Sequence, residues 1–393
     1  MNDHPPLSLV ILVPAHDEAL VLDGALASLT QQDYPAARYE IVLVADNCTD
    51  DTAAIARAHG ATVWERTDAM QRGKGYALDW AIAQLMARPS PADAFVVMDA
   101  DTWAAPDFLS RINARLLSQT DARGLCALQG RYGVLNEADG WRAALMGAAF
   151  DLVNHVRPLG RDRLGLSVGL KGNGMAFTRE TLARVRWHGD SLTEDLDFAL
   201  DLARYENLRV GYAPEARVWA QMPTNGAQAV SQRKRWEQGR RHSVRALALP
   251  LLWEGVSRGR LLLIDSALGL LLPPLAELAL LLLFWLALVA FGVGHHLLPH
   301  PIWWERAGAV AVAGLLAYVL GGLRVAGASR AAYGALLRAP FYMAWKLALA
   351  VTGRRAKSAA TQAAPEWVRT ERAPMPVPGL VSSSVVPKEA HTP

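Results

Sequence analysis

Along residues 7–256, short apolar runs alternate with amphipathic stretches, the pattern of βαβ units on a mainly parallel sheet. Residues 9–13, 41–44 and 95–98 read as buried strands, because four or five consecutive apolar side chains leave neither face for water. Residues 19–30 and 51–59 read as helices beside them. After Arg260 the pattern changes abruptly: from 261 to 293 the only charges are Asp265 and Glu277. A span at 275–293 would be about 28 Å long, enough for a hydrocarbon core of about 30 Å. Pro273-Pro274 would mark its entry, with Glu277 near the interface. The alternative span, 266–291, would carry Glu277 toward the midplane, where an ionisable group is expensive. A second span is predicted at 307–323, after a short loop holding Trp303 and Trp304, which suit a membrane–water boundary. Residues 331–352 are interrupted by Arg338, Pro340 and Lys346 and read as an interfacial or re-entrant helix.

The predicted organisation is therefore a cytoplasmic α/β domain at 1–225, a basic amphipathic interfacial region at 226–260, and two transmembrane helices within 261–326. An interfacial helix at 327–355 and a Pro- and Ser-rich disordered tail at 356–393 follow. Within that tail, residues 366–370 form the one segment suited to docking. Lys and Arg flank the spans at Arg258, Arg260, Arg324, Arg330, Arg354, Arg355 and Lys357, whereas the loop between them carries only Arg306. By the positive-inside rule, the α/β domain and the C-terminus both face the cytoplasm from a multi-pass position in the cell (inner) membrane.

Composition agrees with a chain divided in this way. Hydrophobic residues make up 52% before its 31 glycines are added, above the soluble norm of about 45–50% with glycine. Charged residues still reach 20%, so the surplus is local. A net charge of +3 argues against a nucleic-acid partner. Cys48 and Cys126 alone exclude a disulfide scaffold or a multi-Cys zinc site and fit a reducing compartment. The first six residues lack the start of a signal peptide. Neither G-x-G-x-x-G nor a Walker A sequence follows a predicted strand, which argues against dinucleotide and P-loop sites.

Acidic residues stand at the strand ends instead, where open α/β sheets bind ligands. Asp46 ends the second predicted strand, and Asp99 and Asp101 end the third. On an extended segment, carboxylates at i and i+2 share a side and suit one hard divalent ion held against a diphosphate; turn chemistry favours Asp equally well. Thr193-Glu194-Asp195 opens a predicted helix at 194–205. Local sequence alone favours a Thr cap with acids complementing the helix dipole; the functional alternative makes Asp195 a general base. Gln232, Arg235 and Trp236 share a helix face within a segment, 231–245, of local charge +5. That face suits a pyrophosphate and a sugar ring, or equally an anionic lipid surface.

Pro14-Ala15-His16-Asp17-Glu18, Asp46, Arg72-Gly73-Lys74-Gly75, Asp99-x-Asp101, Thr193-Glu194-Asp195 and Gln232-x-x-Arg235-Trp236, in this order before membrane spans, resemble the inverting family 2 glycosyltransferases. The nearest group is the membrane-embedded cellulose, chitin and hyaluronan synthase type. The resemblance implies a GT-A fold and a hexosyltransferase using a UDP-sugar donor and Mg²⁺ or Mn²⁺. It implies nucleotide-sugar contacts from Pro14, His16, Glu18, Asp46, Lys74, Gln232 and Arg235. Asp99 and Asp101 would face the diphosphate and its metal, and Asp195, beside Glu194, would be the base. Trp236 and the small-residue loop of Gly172, Asn173 and Gly174 would meet the acceptor.

Two departures bear on the product. The sequence Lys171-Gly172-Asn173-Gly174 lacks the Cys or Ser expected of cellulose synthases, and the spans are too few for one protomer to enclose a polymer channel. A short product, a lipid acceptor in the leaflet or a homo-oligomeric pore each accommodates this; the expectation is transfer to a saccharide acceptor in polysaccharide or exopolysaccharide synthesis, with a single transfer to a lipid or polyprenyl-phosphate acceptor as the alternative. A catalytically silent scaffold binding nucleotide-sugar is the alternative from another class.

Overall fold

The computed structural model describes residues 5–89, 92–191, 193–222, 226–296 and 301–344, those of 226–238 and 301 by backbone alone. Its strands are β1 (Leu9–Ala15), β2 (Tyr39–Asp46), β3 (Thr62–Arg66), β4 (Ala94–Val97), β5 (Thr102–Ala104), β6 (Ala127–Val134), β7 (Met175–Thr178) and β8 (Gly211–Ala220). They form one sheet in the order β3-β2-β1-β4-β7-β6-β8-β5. The half from β3 to β4 is parallel throughout. In the other half, antiparallel β4–β7, β7–β6 and β8–β5 pairs surround a parallel β6–β8 pair. The switch point lies between β1 and β4, where strand order reverses direction.

Alternation along β1 explains its continuous apolar run. Leu9, Ile11 and Val13 enter the core on one face, with Leu22, Leu26 and Phe108. Val10 and Leu12 enter the core on the other, with Leu78, Phe95 and Phe198. Helices Ala19–Thr30 and Glu194–Tyr205 have the predicted bounds.

A long helix, Gly226–Ser257, leads from the α/β domain and packs through Ala248 and Leu251 against Leu200 and Ala203 and against Leu263, Ala267 and Leu270 of the Leu261–Leu271 helix. Arg260 donates to the carbonyls of Ala203 and Arg204, each at 2.7 Å, fixing this corner. The chain then breaks at Pro273-Pro274 and a new helix runs Leu275–Gly294. That break removes the 266–291 alternative, since proline ends the preceding helix.

Two helices, Leu275–Gly294 and Ile302–Ala326, are long and apolar enough to cross a membrane, and only 11% and 17% of their most apolar windows are buried in the protein. They meet at Gly308, where an added Cβ would lie 2.6 Å from Leu286 Cδ2. The Ile302–Ala326 helix also docks on the α/β domain. Leu323 packs with Ala148 and Leu152, and Arg131 donates to the Ala326 carbonyl at 3.0 Å. A helix at Arg330–Leu336 begins the predicted 331–352 element; the remainder of that element beyond residue 344, the tail and its 366–370 segment lie outside the described residues.

Candidate active site

Asp46, the last residue of β2, is buried and held from several directions. Arg66 Nη1, from the end of the neighbouring β3, donates to its Oδ1 at 2.6 Å, and the Gly73 N–H approaches Oδ2 at 3.3 Å. Asn47 Nδ2 adds a contact to Oδ1 at 3.1 Å. Parallel pairing of β2 with β3 sets Asp46 opposite Arg66, so the sheet register itself builds this ion pair. His16 Nδ1 meets the Asp46 carbonyl at 2.7 Å, which ties the end of β1 to the end of β2. Pro14 is buried within β1, and Glu18 anchors the next helix through its own N–H, which donates to Thr52 Oγ1 at 2.8 Å.

Lys74 is the hub. Its ammonium donates to Asp99 Oδ1 at 2.5 Å and to the Gly172 carbonyl. Burial, the largest influence, pulls this ammonium down, yet Asp99, Glu194 and Asp195 together hold it above the ordinary lysine range. The geometry expected of Asp99 and Asp101 needs correction. Thr102 N–H donates to the Asp99 carbonyl at 3.1 Å, so the two acids occupy a turn and not an extended strand, and same-side alternation does not apply. Asp99 faces Lys74, whereas Asp101 is buried, 3.5 Å from Thr102 Oγ1. Two carboxylates on one turn just past the carboxyl end of β4 still fit a hard divalent ion by donor chemistry. Elsewhere among the described residues, Asp17, Cys48 and Asp50 also bring three potential metal donors together.

The loop 171–174 is tied to Lys74 and to the acidic turn. Gly172 and Gly174 have φ of +77° and +64°, and a Cβ on Gly172 would lie 3.5 Å from both Lys74 Nζ and Asp195 Oδ2. Glycine there lets backbone stand between the ammonium and the carboxylate. Asn173 is fully buried; its Nδ2 donates to Thr102 Oγ1 at 2.6 Å and its Oδ1 accepts from the Asp99 N–H at 3.3 Å.

Glu194 and Asp195 open their helix toward this centre. Thr193 makes no side-chain cap; its hydroxyl instead lies 3.3 Å from Ser243 Oγ on the Gly226–Ser257 helix. Burial raises both carboxyls above their usual range, Lys74 opposes that rise, and repulsion from Asp195 adds to it at Glu194. The local capping reading thus fails for Thr193, because a tertiary partner takes its hydroxyl.

Gln232, Arg235 and Trp236 fall on the Gly226–Ser257 helix, and their side chains lie outside the described residues. Sequence reading missed two supporting residues. Arg66 pairs with Asp46, and Gln129 braces the glycine loop, donating to the Asn173 carbonyl and accepting from the Lys171 N–H, each at 2.8 Å. A polar Gln in the apolar run Ala127-Leu128-Gln129 was the available signal for the second; Arg66 has none, since its partner is set by strand pairing.

An open α/β sheet that gathers acids and a lysine at the carboxyl ends of its parallel strands, around a topological switch, defines an enzyme-type ligand site. The chain belongs to glycosyltransferase family 2: residues 5–239, more than half of its length, match the family model described as "Glycosyltransferase like family 2". It is 30% identical over 241 residues to a beta-monoglucosyldiacylglycerol synthase of Synechocystis, covering 60% of this chain and 48% of the relative. It is 26% identical over 262 residues to an N-acetylglucosaminyltransferase of Rhizobium leguminosarum, covering 64% and 60%. The chain spans about half to three-fifths of the length of these curated relatives. Among solved structures, a mannosyltransferase from Pyrobaculum calidifontis aligns at 20% identity and a TM-score of 0.47, over 81% of this chain and 90% of the other.

Proposed function

We propose that the chain is a membrane-bound hexosyltransferase that moves a sugar from a UDP-sugar to a hydroxyl of a lipid-borne acceptor, with inversion at the anomeric carbon. The observation that carries this reading is the convergence of Lys74, Asp99 and Asp195 around Gly172. Asp195 takes the proton of the acceptor hydroxyl as its oxygen bonds the anomeric carbon; the bond from that carbon to UDP breaks, and UDP leaves with the electron pair. One displacement inverts the centre. Lys74 holds positive charge beside the leaving diphosphate and fixes Asp99. Asp99 and Asp101 would hold Mg²⁺ or Mn²⁺, which when bound supplies further positive charge to the departing diphosphate. Asp46, with His16 at its carbonyl and with Pro14 and Glu18 from the same end of β1, is assigned to the nucleoside; Asn173 and Gly174 are assigned to the acceptor. Gln232, Arg235 and Trp236 are assigned to diphosphate and acceptor.

The bilayer location is supported by two apolar helices whose surface is mostly left uncovered, including Phe284, Leu288, Phe291, Val310 and Leu316. An uncovered apolar surface of this length suits the hydrocarbon of a bilayer. With the α/β domain and C-terminus cytoplasmic, the cleft would open at the inner leaflet. The glycolipid-synthase relatives and the two spans support a lipid acceptor. The Gln232-x-x-Arg235-Trp236 sequence favours a growing saccharide, as in polysaccharide synthesis, and product mass separates the two. UDP release by the purified full chain, assayed over a panel of UDP-sugars with Mn²⁺ or Mg²⁺, tests the activity. Release with at least one donor is expected; none with any donor overturns the reading in favour of a non-catalytic scaffold.

A further inference from the structure

Arg157 and Lys171 carry charges that the chemistry above leaves unused. Arg157 opens the Arg157–Arg163 helix, and Lys171 immediately precedes Gly172. Both are half-buried. Their charged ends make no hydrogen bond or ion pair with any described residue, unlike their two cationic neighbours. Arg161 is neutralised by Asp265 at 2.6 Å and donates to the Ser167 carbonyl at 2.7 Å. Arg240 donates to the carbonyls of Leu270 and Leu272 at 3.0 and 2.5 Å, which leaves its charge without a counterion among the described residues.

Arg157 links the cations: it feels Arg161 and Arg240, and Lys171 feels Arg157 and Arg161. Burial and the charges of Arg157 and Arg161 push the Lys171 ammonium down to about 8, against the pull of Asp195. Burial, Arg161 and Arg240 likewise lower Arg157, against the pull of Tyr318 and Asp265. Half-buried like charges, with Asp265 committed to Arg161, oppose folding unless an anion joins them.

Their position says which anion. Leu270 and Leu272, whose carbonyls hold Arg240, lie at the end of the Leu261–Leu271 helix, just before Pro273-Pro274 and the Leu275–Gly294 helix. Val156, the residue before Arg157, packs on the Ile302–Ala326 helix, where a Cβ on Gly322 would lie 3.4 Å from its Cγ1; Tyr318 of the same helix donates to the Leu152 carbonyl at 3.4 Å. The cluster therefore stands where both apolar helices meet the α/β domain, and Lys171 carries it on to Asp195. The donor side already has its own cation, Lys74, which donates to the Gly172 carbonyl.

We propose that Arg157, Lys171 and Arg240 form a binding site for the phosphate of an anionic membrane lipid, holding the acceptor head group beside Asp195. This rests on the membrane reading of the proposed function and adds the acceptor's chemical class: a phosphate-bearing lipid in preference to a neutral diacylglycerol. Charge-assisted hydrogen bonds to phosphate are the strong kind, and loss of one partner weakens binding by roughly tenfold or more.

The test is thermal unfolding of the detergent-solubilised full chain with dioctanoyl phosphatidylglycerol, dioctanoylglycerol or inorganic phosphate. The phosphatidylglycerol should stabilise the protein. Its half-saturating concentration should rise about tenfold or more in Arg157→Gln and Lys171→Gln, recover in Lys171→Arg, and stay unchanged in Arg186→Gln, which removes an exposed charge paired with Asp79. Equal protection by dioctanoylglycerol reduces the site to apolar contact and overturns the proposal. So does equal protection by inorganic phosphate, displacement of the lipid by UDP, or an equal loss in Arg186→Gln. UDP release without lipid is measured on the same samples, so failure of the catalytic reading is seen separately from failure of lipid binding.

Discussion

The Lys74 ammonium lies 2.5 Å from Asp99 Oδ1 although 25 residues separate them in the chain. Lys74 begins the helix Lys74–Met86, and Asp99 follows β4; only the packing of that helix on the sheet brings them together. Through Lys74 the acidic turn, the glycine loop and Asp195 become one electrostatic unit.

Asp195→Asn should lower the rate of glycosyl transfer by about 10²- to 10⁴-fold, the range for loss of a general base. The circular dichroism spectrum should be unchanged. Steady-state UDP release measures it, and wild-type turnover in this variant removes Asp195 from the role of base.

Lys74→Gln should move the acid limb of the pH–rate profile to higher pH. Burial raises the Asp195 and Glu194 carboxyls and Lys74 opposes that rise. Without the ammonium both protonate more easily, so the base is lost at a higher pH. A profile whose acid limb does not move, recorded between pH 5 and 9, contradicts the electrostatic role.

Glu194→Gln should stabilise the fold at neutral pH while impairing catalysis. A carboxyl whose folded pKa is raised binds its proton more tightly folded than unfolded, so its charge destabilises the protein as pH rises above the unfolded value. The gain in melting temperature should be present at pH 8 and vanish below about pH 4, where the group is protonated in both states. Calorimetry across that range checks the sign.

Gly172→Ala should cost about 1–2 kcal/mol from its left-handed φ. It should lower turnover as well, since the new methyl stands between Lys74 and Asp195. Equal turnover of variant and wild type separates the loop from the reacting centre.

Arg66→Met should destabilise by about 3–5 kcal/mol, because it leaves the Asp46 carboxylate buried without its cation. Adding Asp46→Asn should restore much of that stability but not nucleotide binding. Thermal unfolding with and without UDP distinguishes the two effects.

Much of the fold was written in the order of side chains. Uninterrupted, short, β-branched-rich apolar runs at 9–13, 41–44 and 95–98 read as strands covered on both faces, and the proline pair at 273–274 stops one helix and starts another. The acids at the strand ends were visible for the same reason, since a charge closing an apolar run marks where the chain meets water or a ligand. The turn at Asp99 and Asp101 was less legible. Alternation along the sequence assumes extended backbone, whereas β4 ends at Val97 and the chain reverses at once.

Sequence by itself determined the kind of protein: an α/β domain with acids at its strand ends, a basic region, and two helices apolar enough to span a bilayer. Local periodicity and composition suffice for that, because each element's pattern records which of its faces is buried. Tertiary structure alone decided the partners. Strand register set Arg66 against Asp46, helix packing drew Lys74 to Asp99, and Ser243 took the hydroxyl with which Thr193 would have capped its own helix. Those pairings depend on contacts between segments 20 to 50 residues apart, and no short-range pattern carries that information.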